Sequence, residues 1–485
     1  MFFDFSPLFA GFFVAEWAIR VLMLFVVPTK QRASTANAWL LLIMIAPMLG
    51  TIAYYMFGNP NLPSSRRQKL KTVNNLTKKE LDQLQQSDGD LFAKLVNDDY
   101  QTIADLATKL GGLPPMVGNK IDFFSDYDQS FRMIAKDIDR AKEYVHVEYF
   151  IATMDGSTRP VFEAIDRAVK RGVKVRFMYD KVLSRGYKGH AEMRKLLSSL
   201  DIDLHEMLPL SLLPGKKFTR PDLRNHRKVV IIDGNVAFSG SQNMIGQSYG
   251  RRDSLVYEEL VARLSGPVVW QLNNVFRSDW FAETGQPLLD VVEDVDMPKP
   301  QGSVIAQVLP SGPNHDNDNN LKLYTSMVHS AKKRVSIVVP YFIPDESLLN
   351  ALTTAAQRGV EVTIINSEIV DKLLAGHAQR AYYEDLLKVG VKIYLYKTPI
   401  FLHAKQVIID DQVAIFGSSN LDIRSFELNF ELNTIVYDKE IVKKLQAVEA
   451  GYVSKSTQLT KKSWAERPAR LRFLDRISRL TSAFL

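Results

Sequence analysis

Two segments of this chain repeat one spacing of polar residues around a histidine. The first reads His226-Arg-Lys228-Val-Val-Ile-Ile-Asp233, then Gly240-Ser241-Gln-Asn243. The second reads His403-Ala-Lys405-Gln-Val-Ile-Ile-Asp410, then Gly417-Ser418-Ser-Asn420. Counted from the His, both have Lys at +2, Asp at +7, Gly at +14, Ser at +15 and Asn at +17. One His-x-Lys carries no information, but two copies with six shared positions in one register require a duplicated unit. A further pair, Glu259-Leu260 and Glu431-Leu432, follows at +33 and +28, so one first-half loop is five residues longer.

The flanking sequence repeats as well. Val145 to Ile151 is an apolar strand pattern, followed by a helical stretch and by Arg171-Gly172-Val173-Lys174-Val175. In the second half Val335 to Ile343, a helix and Arg358-Gly359-Val360-Glu361-Val362 take the same order. Strand, helix, glycine turn, strand is a βαβ unit. The expected fold is α/β: two tandem sandwich halves joined as one pseudo-twofold catalytic unit, with a largely parallel central sheet.

In a strand, residues i and i+2 face the same way, so each His projects with its Lys. Each half then offers an imidazole, an ammonium, a hydroxyl and an amide at a strand end. Two halves face to face form a pocket suited to a phosphodiester, with Lys and Asn on its non-bridging oxygens. One His attacks phosphorus while the other protonates the leaving alkoxide and then deprotonates the incoming hydroxyl. Glu259 and Glu431 are candidates to hold the imidazoles in the attacking tautomer. No metal or cofactor is expected, because the neighbouring lysines repel a cation. Asp233 and Asp410 face away from the His side and read as structural, and the two glycines as serving tight backbone geometry. His146, His190, His205, His315, His329 and His377 read as packing or surface residues.

The duplicated His-x-Lys-x4-Asp-x6-Gly-Ser-x-Asn pattern resembles the phospholipase D superfamily. Within it, Asn420-Leu-Asp-Ile-Arg-Ser-Phe-Glu-Leu-Asn-Phe-Glu431-Leu-Asn433 and Tyr341-Phe342-Ile343-Pro344-Asp345 resemble bacterial cardiolipin synthases. The resemblance runs over nearly the whole chain. It departs at Tyr257-Glu258-Glu259-Leu260, where many relatives have a Trp-Arg-Asp-Thr-His-like run. It implies that two phosphatidylglycerol molecules become cardiolipin and glycerol through a phosphohistidine, with His226 as nucleophile and His403 as acid/base. It also implies His226, Lys228, Asp233, His403, Lys405 and Asp410 as the catalytic set, with Ser241, Asn243, Ser418 and Asn420 on the phosphate. Hydrolysis by a phospholipase or nuclease of the same superfamily uses the same chemistry and stays open.

The partner class needs the rest of the chain. The 485 residues are 46% apolar and 24% charged, a globular mixture with room for two or three domains. The absence of cysteine excludes disulfides, thiolate metal sites and a cysteine nucleophile. A net charge of +7 suits nucleic acid or acidic lipid without choosing between them. The N-terminus chooses. No charged residue occurs from Ala33 to Ser65, and Ala38 to Phe57 supplies about 20 mostly apolar residues, with Pro47 inside. Phe5 to Val27 is a second apolar stretch, in which Glu16 and Arg20 can pair across one helical turn. A signal peptide is the alternative for this stretch, but it lacks a basic n-region. The expectation is a two-helix transmembrane hairpin over residues 1–60. Arg66, Arg67, Lys69 and Lys71 beyond it place the catalytic part in the cytoplasm. Anionic membrane lipid is the expected partner, and nucleic acid is not.

The expected domains are a connector at 61–115, a first half at 116–300, a second half at 301–455 and a basic amphipathic tail at 456–485. From Lys461 that tail has seven Lys or Arg against two acids, with Leu471, Leu474, Ile477 and Leu480 recurring. It suits either an anionic bilayer or packing on the catalytic domain. The loop from Leu208 to Arg224 mixes Leu with Lys and Arg, and reads as a lipid-contacting lid or an ordinary insertion.

Overall fold

The computed structural model describes residues 7–30, 33–58, 62–95, 98–209, 220, 222–249, 255–288, 297–313 and 318–482. Most of the proposed lid, including Leu210, Leu212 and Leu213, lies outside the described residues, as does His315.

The catalytic unit is built on one 15-stranded sheet that both halves share. At its centre Met116–Phe124 runs antiparallel to Val304–Ser311, one strand from each half. Outward from this seam the first half continues through Val261–Ser265, Val236–Gly240, Lys228–Ile232, Tyr144–Tyr149, Lys174–Tyr179 and Asp203–Glu206. The second half mirrors that order through Glu431–Val436, Val413–Gly417, Gln406–Ile409, Arg334–Val338, Glu361–Ser367 and Lys392–Tyr396.

The expectation of a largely parallel sheet is corrected. Only the βαβ crossovers and the strand beyond each pair in parallel. All other neighbours in this sheet are antiparallel, because hairpins join the motif strands directly. A strand buried on both faces shows the same unbroken apolar run in either direction. Val230 and Ile232 enter the core on one side of the sheet, while Val229 and Ile231 enter the core on the other. The helices Tyr127–Ile138 and Arg159–Lys170 line the first side, and Val268–Thr284 and Lys439–Ser454 the second.

The N-terminal region differs from the expected hairpin. Pro7–Val26 is one helix, but the second apolar stretch is two: Ala33–Ile45 and Pro47–Phe57. The break falls at Ala46, whose backbone leaves helical geometry at φ −135° and ψ 80°, because Pro47 brings no N–H to continue the helix. Arg20 Nε donates to the carbonyl of Met44 beside the break at 3.2 Å, and Arg20 pairs with Glu16 at 3.4 Å. Among the described residues, no helix is long and apolar enough to cross a membrane. The three helices share a small core of Met23, Val27, Ala36, Trp39, Ile43 and Tyr54. Gly50 packs so tightly there that a Cβ would lie 2.8 Å from the Ile43 Cα.

Candidate active site

The motif strands reach the seam from opposite sides, and the backbone there crosses between halves. Ile400–Leu402, which leads into His403, pairs in parallel with Val256–Glu258, which leads into Glu259. Asn225, just before His226, bridges in parallel to Phe430, just before Glu431. The His226 N–H donates to the Phe430 carbonyl at 2.8 Å, and the His403 N–H to that of Glu258 at 2.7 Å. Each histidine is thereby delivered to the glutamate of the other half.

His226 Nδ1 lies 3.0 and 3.1 Å from the two Glu431 oxygens. His403 Nδ1 lies 2.8 and 2.9 Å from those of Glu259. An ionised carboxylate only accepts, so Nδ1 carries a proton in each pair and Nε2 is the nitrogen left for chemistry, as a lone pair in the neutral ring or as a donor in the imidazolium. Both glutamates are completely or nearly completely buried. The serine following each motif glycine holds its own half's glutamate: Ser241 Oγ donates to Glu259 at 2.6 Å, and Ser418 Oγ to Glu431 at 2.5 Å. Each hydroxyl also accepts the next backbone N–H, from Leu260 or Leu432. In this structure the Ser241 and Ser418 hydroxyls donate to the glutamates, the groups that hold the imidazoles.

Lys228 Nζ donates to the His226 carbonyl at 2.5 Å, and Lys405 Nζ to that of His403 at 2.6 Å. Both ammonium groups are buried beside the imidazoles. Burial pushes Lys228 down to about 7 and Lys405 to about 8, despite attraction from the glutamates. Burial, with Lys228, Lys405 and His403, drives His226 well below its ordinary value. Burial also lowers His403, against the pull of Glu259.

The carboxylates differ. Burial raises Glu431 to about 7, only partly opposed by Lys228, Ser418 and Ser425. For Glu259 burial is again the largest effect, but His403, Lys405 and Ser241 together outweigh it and hold the carboxyl below its ordinary value. Asn243 Nδ2 donates to Tyr249 Oη at 3.1 Å, while the buried Oδ1 atoms of Asn243 and Asn420 have no hydrogen-bond partner among the described residues.

Asp233 and Asp410 sit beyond the far ends of the motif strands, away from the histidines. Asp233 accepts the backbone N–H groups of Lys142, Glu143 and Tyr144, and Asp410 those of Lys332, Lys333 and Arg334. Five strand residues in the first half and four in the second, at roughly 3.3 Å each, separate them from the reacting groups, which places them against the backbone of the fold and away from the imidazoles. Of the remaining histidines, His146 stacks on Tyr144 and Phe276, and His377 pairs with Asp475.

Several residues around the site carried no sequence signal. Ser425 Oγ donates to Glu431 at 2.9 Å, where the first half uses Tyr249 Oη on Glu259 at 3.3 Å. The repeat register breaks between these positions. Phe150 packs edge-on against His226, and Tyr257 against His403. Behind His226, buried Arg227 pairs with Asp279 and donates to the carbonyls of Glu431 and Ser311. Asn225 donates to Glu148 at 2.5 Å and to Asp279 at 3.2 Å. Asn225 and Arg227, just before the buried strand Lys228–Ile232, lie outside the repeated pattern, since the second half has Leu402 and Ala404 at the matching positions.

Comparison with known proteins agrees with this geometry. The family model described as cardiolipin synthase, PLD-like domain, matches residues 134–280 and again 324–449. A phospholipase D-nuclease N-terminal model matches residues 17–59. Cardiolipin synthase A of Proteus mirabilis is 33% identical, covering 97% of this chain and 96% of its own. Cardiolipin synthase A of Pectobacterium carotovorum is 33% identical, covering 96% and 94%. A crystal structure of phosphatidylserine synthase from Haemophilus influenzae shares the fold, with a TM-score of 0.60 at 15% identity over 80% of this chain and 100% of that one. Two matches to one domain model, and relatives spanning almost the full length, place this chain in the cardiolipin synthase family of phospholipase D-like proteins.

Proposed function

We propose that the chain is a cardiolipin synthase acting through a phosphohistidine on His226. The crossed His–Glu pairs, each beside a buried lysine, carry this reading. His226 Nε2 attacks the phosphorus of one phosphatidylglycerol. The P–O bond to glycerol breaks, and the alkoxide takes a proton from His403. The headgroup hydroxyl of a second phosphatidylglycerol then gives its proton to His403 and attacks the phosphohistidine, releasing cardiolipin and restoring His226. Lys228 and Lys405 neutralise the non-bridging oxygens, and the asparagine amides complete the oxyanion contacts. The serines keep the glutamates in place.

The difference between the carboxylates supports this division of roles. Anionic Glu259 favours an imidazolium on His403, as the acid requires. Glu431, less firmly ionised, favours an imidazolium on His226 less, and in its ionised form it accepts the Nδ1–H and leaves Nε2 of the neutral ring free, as the nucleophile requires.

The N-terminal helices are the membrane attachment in this reading. Phe12, Phe13, Trp17, Phe25, Leu41 and Ile45 are exposed on them, an apolar surface suited to lipid. The basic residues that follow keep the catalytic unit on the cytoplasmic side.

Purified protein in detergent, given only phosphatidylglycerol, is expected to yield cardiolipin and glycerol in equal amounts. Phosphatidic acid without cardiolipin overturns the transferase in favour of a hydrolase.

A further inference from the structure

The C-terminal helix Ala469–Arg479 is docked with its apolar stripe facing outward. Its buried positions are Asp475 and Ser478. Asp475 is clamped by His377 at 2.7 Å, Arg467 at 2.7 Å and Arg380 at 3.4 Å, and Tyr382 Oη donates to Ser482 at 3.2 Å. The helix is thus held on Leu373–Ala381 by polar contacts. Phe473, Ile477 and Leu480, at i, i+4 and i+7, form one stripe on the opposite face, exposed at 63%, 46% and 76%. On a helical wheel Arg472 and Arg476 flank that stripe on one side, and Arg470 and Leu474 on the other.

This patch is where the catalytic unit concentrates its exposed apolar surface. Among the described residues beyond 97, the exposed large hydrophobics are Leu373, Leu374, Phe473, Leu474, Ile477 and Leu480, all on these two helices or at their end. Folding ordinarily buries such a stripe, and here it buries the polar side instead. A chain of contacts leads from the patch to the active site. Lys372, immediately before Leu373, lies over the Tyr341 ring at 4.8 Å. Tyr341 packs on Phe401, which packs on His403.

We propose that this helix pair is a foot that inserts into an anionic bilayer and holds the Lys372 side of the catalytic unit against the lipid surface. An apolar stripe flanked by Arg472 and Arg476 on one side and by Arg470 on the other matches the two layers of such a surface: acyl chains beneath, phosphate headgroups beside. The activity arm of the test rests on the phosphatidylglycerol reading; the insertion arm does not.

Because the chain has no cysteine, full-length Ile477→Cys can be labelled at one site with an environment-sensitive fluorophore. It is reconstituted in vesicles of phosphatidylcholine with about one-third phosphatidylglycerol, containing lipids with nitroxide quenchers at shallow depth. Emission at 477 is expected to fall about threefold and to recover by at least about half without anionic lipid. A label at Asn235→Cys, in the turn beyond Asp233, is expected to stay unquenched. The variant Phe473→Ser, Ile477→Ser, Leu480→Ser is expected to lose about tenfold of turnover in vesicles and to keep turnover on short-chain monomeric phosphatidylglycerol. An unquenched 477 label overturns the foot, whatever the activities. Quenching that is identical without anionic lipid overturns the anionic surface as its partner. Protection of 477 that rises with protein density and not with lipid assigns the stripe to a second copy and overturns the proposal.

Discussion

The two half-sites present the same groups to a substrate and rest on different foundations. Under His226 lies a buried ionic network of Arg227, Asp279, Asn225 and Glu148. Under His403 the corresponding positions are Leu402 and Ala404, fully buried in apolar core. The glutamates differ too, with Tyr249 supporting Glu259 and Ser425 supporting Glu431. Duplication kept the reacting face and let the supporting face diverge. The result is a pair of imidazoles alike in position and unlike in electrostatics, as two steps with opposite proton demands require.

The strongest way to break the comparison is to remove each imidazole. His226→Ala and His403→Ala are each expected to lower turnover on the order of 10⁴-fold. They should differ in what accumulates. With labelled phosphatidylglycerol, His403→Ala is expected to trap phosphatidyl-enzyme on His226, and His226→Ala to trap none. The reverse pattern exchanges their roles. Next in size, Glu259→Gln and Glu431→Gln should each lower kcat by about 10³-fold, because an amide carries no charge and can turn its NH2 to the ring, so the tautomer is no longer fixed. Because the pairs cross, Glu259→Gln should impair leaving-group protonation, and Glu431→Gln the attack. A trapped intermediate from Glu431→Gln and none from Glu259→Gln would break that assignment.

The foundations themselves can be compared by stability. Arg227→Met leaves Asp279 buried without its cation and should cost about 3–5 kcal/mol. Ala404→Met, which overpacks the matching position, should cost about 1–3 kcal/mol. Urea midpoints in detergent measure both, and equal losses would show the two supports to be energetically interchangeable.

Much of this site was legible in the residues alone, because His, Lys, Ser, Asn and Glu recur at fixed spacing and strand periodicity puts His and Lys on one side. The crossing was not. Each half reads the same whether its glutamate serves its own histidine or the other, and only assembly across the seam decides. Strand direction was hidden for a related reason: Val229 to Ile232 is buried on both faces and carries no alternation to orient it. The serines were assigned to the phosphate because spacing shows that a hydroxyl is near without showing what it donates to. The second apolar stretch gave the right composition and the wrong continuity, since Pro47 ends a helix where packing against Arg20 and Trp39 allows it. In the C-terminal helix the period was visible, but a pattern cannot say which face docks.

The lysines offer a finer test through pH. Burial lowers Lys228 to about 7 and Lys405 to about 8, so unliganded enzyme loses its ammonium groups as pH rises through that range. The alkaline limb of kcat/KM should fall there. A bound phosphate anion restores the ammonium form, so the limb of kcat should lie about one unit or more higher. Coincident limbs would mean that the lysines do not bear on the phosphate. Stability should follow the opposite course: between these values and the ordinary 10.5 the unfolded chain holds more protons, so these groups make the fold more stable as pH rises.

The smallest expected effects separate the two glutamate supports. Ser425→Ala removes a donor 2.9 Å from a carboxyl already raised to about 7. Loss of one hydrogen bond to a charged group is worth about 1.5–3 kcal/mol, so kcat should fall about tenfold. Glu431 should also move further up, raising the acid limb of the rate profile. Tyr249→Phe removes a longer contact, at 3.3 Å, from a carboxylate that His403 and Ser241 still hold as an anion. It should cost only about threefold and leave the acid limb in place. If the tyrosine change moved that limb and the serine change did not, Glu431 would be the firmly ionised partner, and the proton roles assigned to His226 and His403 would have to be exchanged.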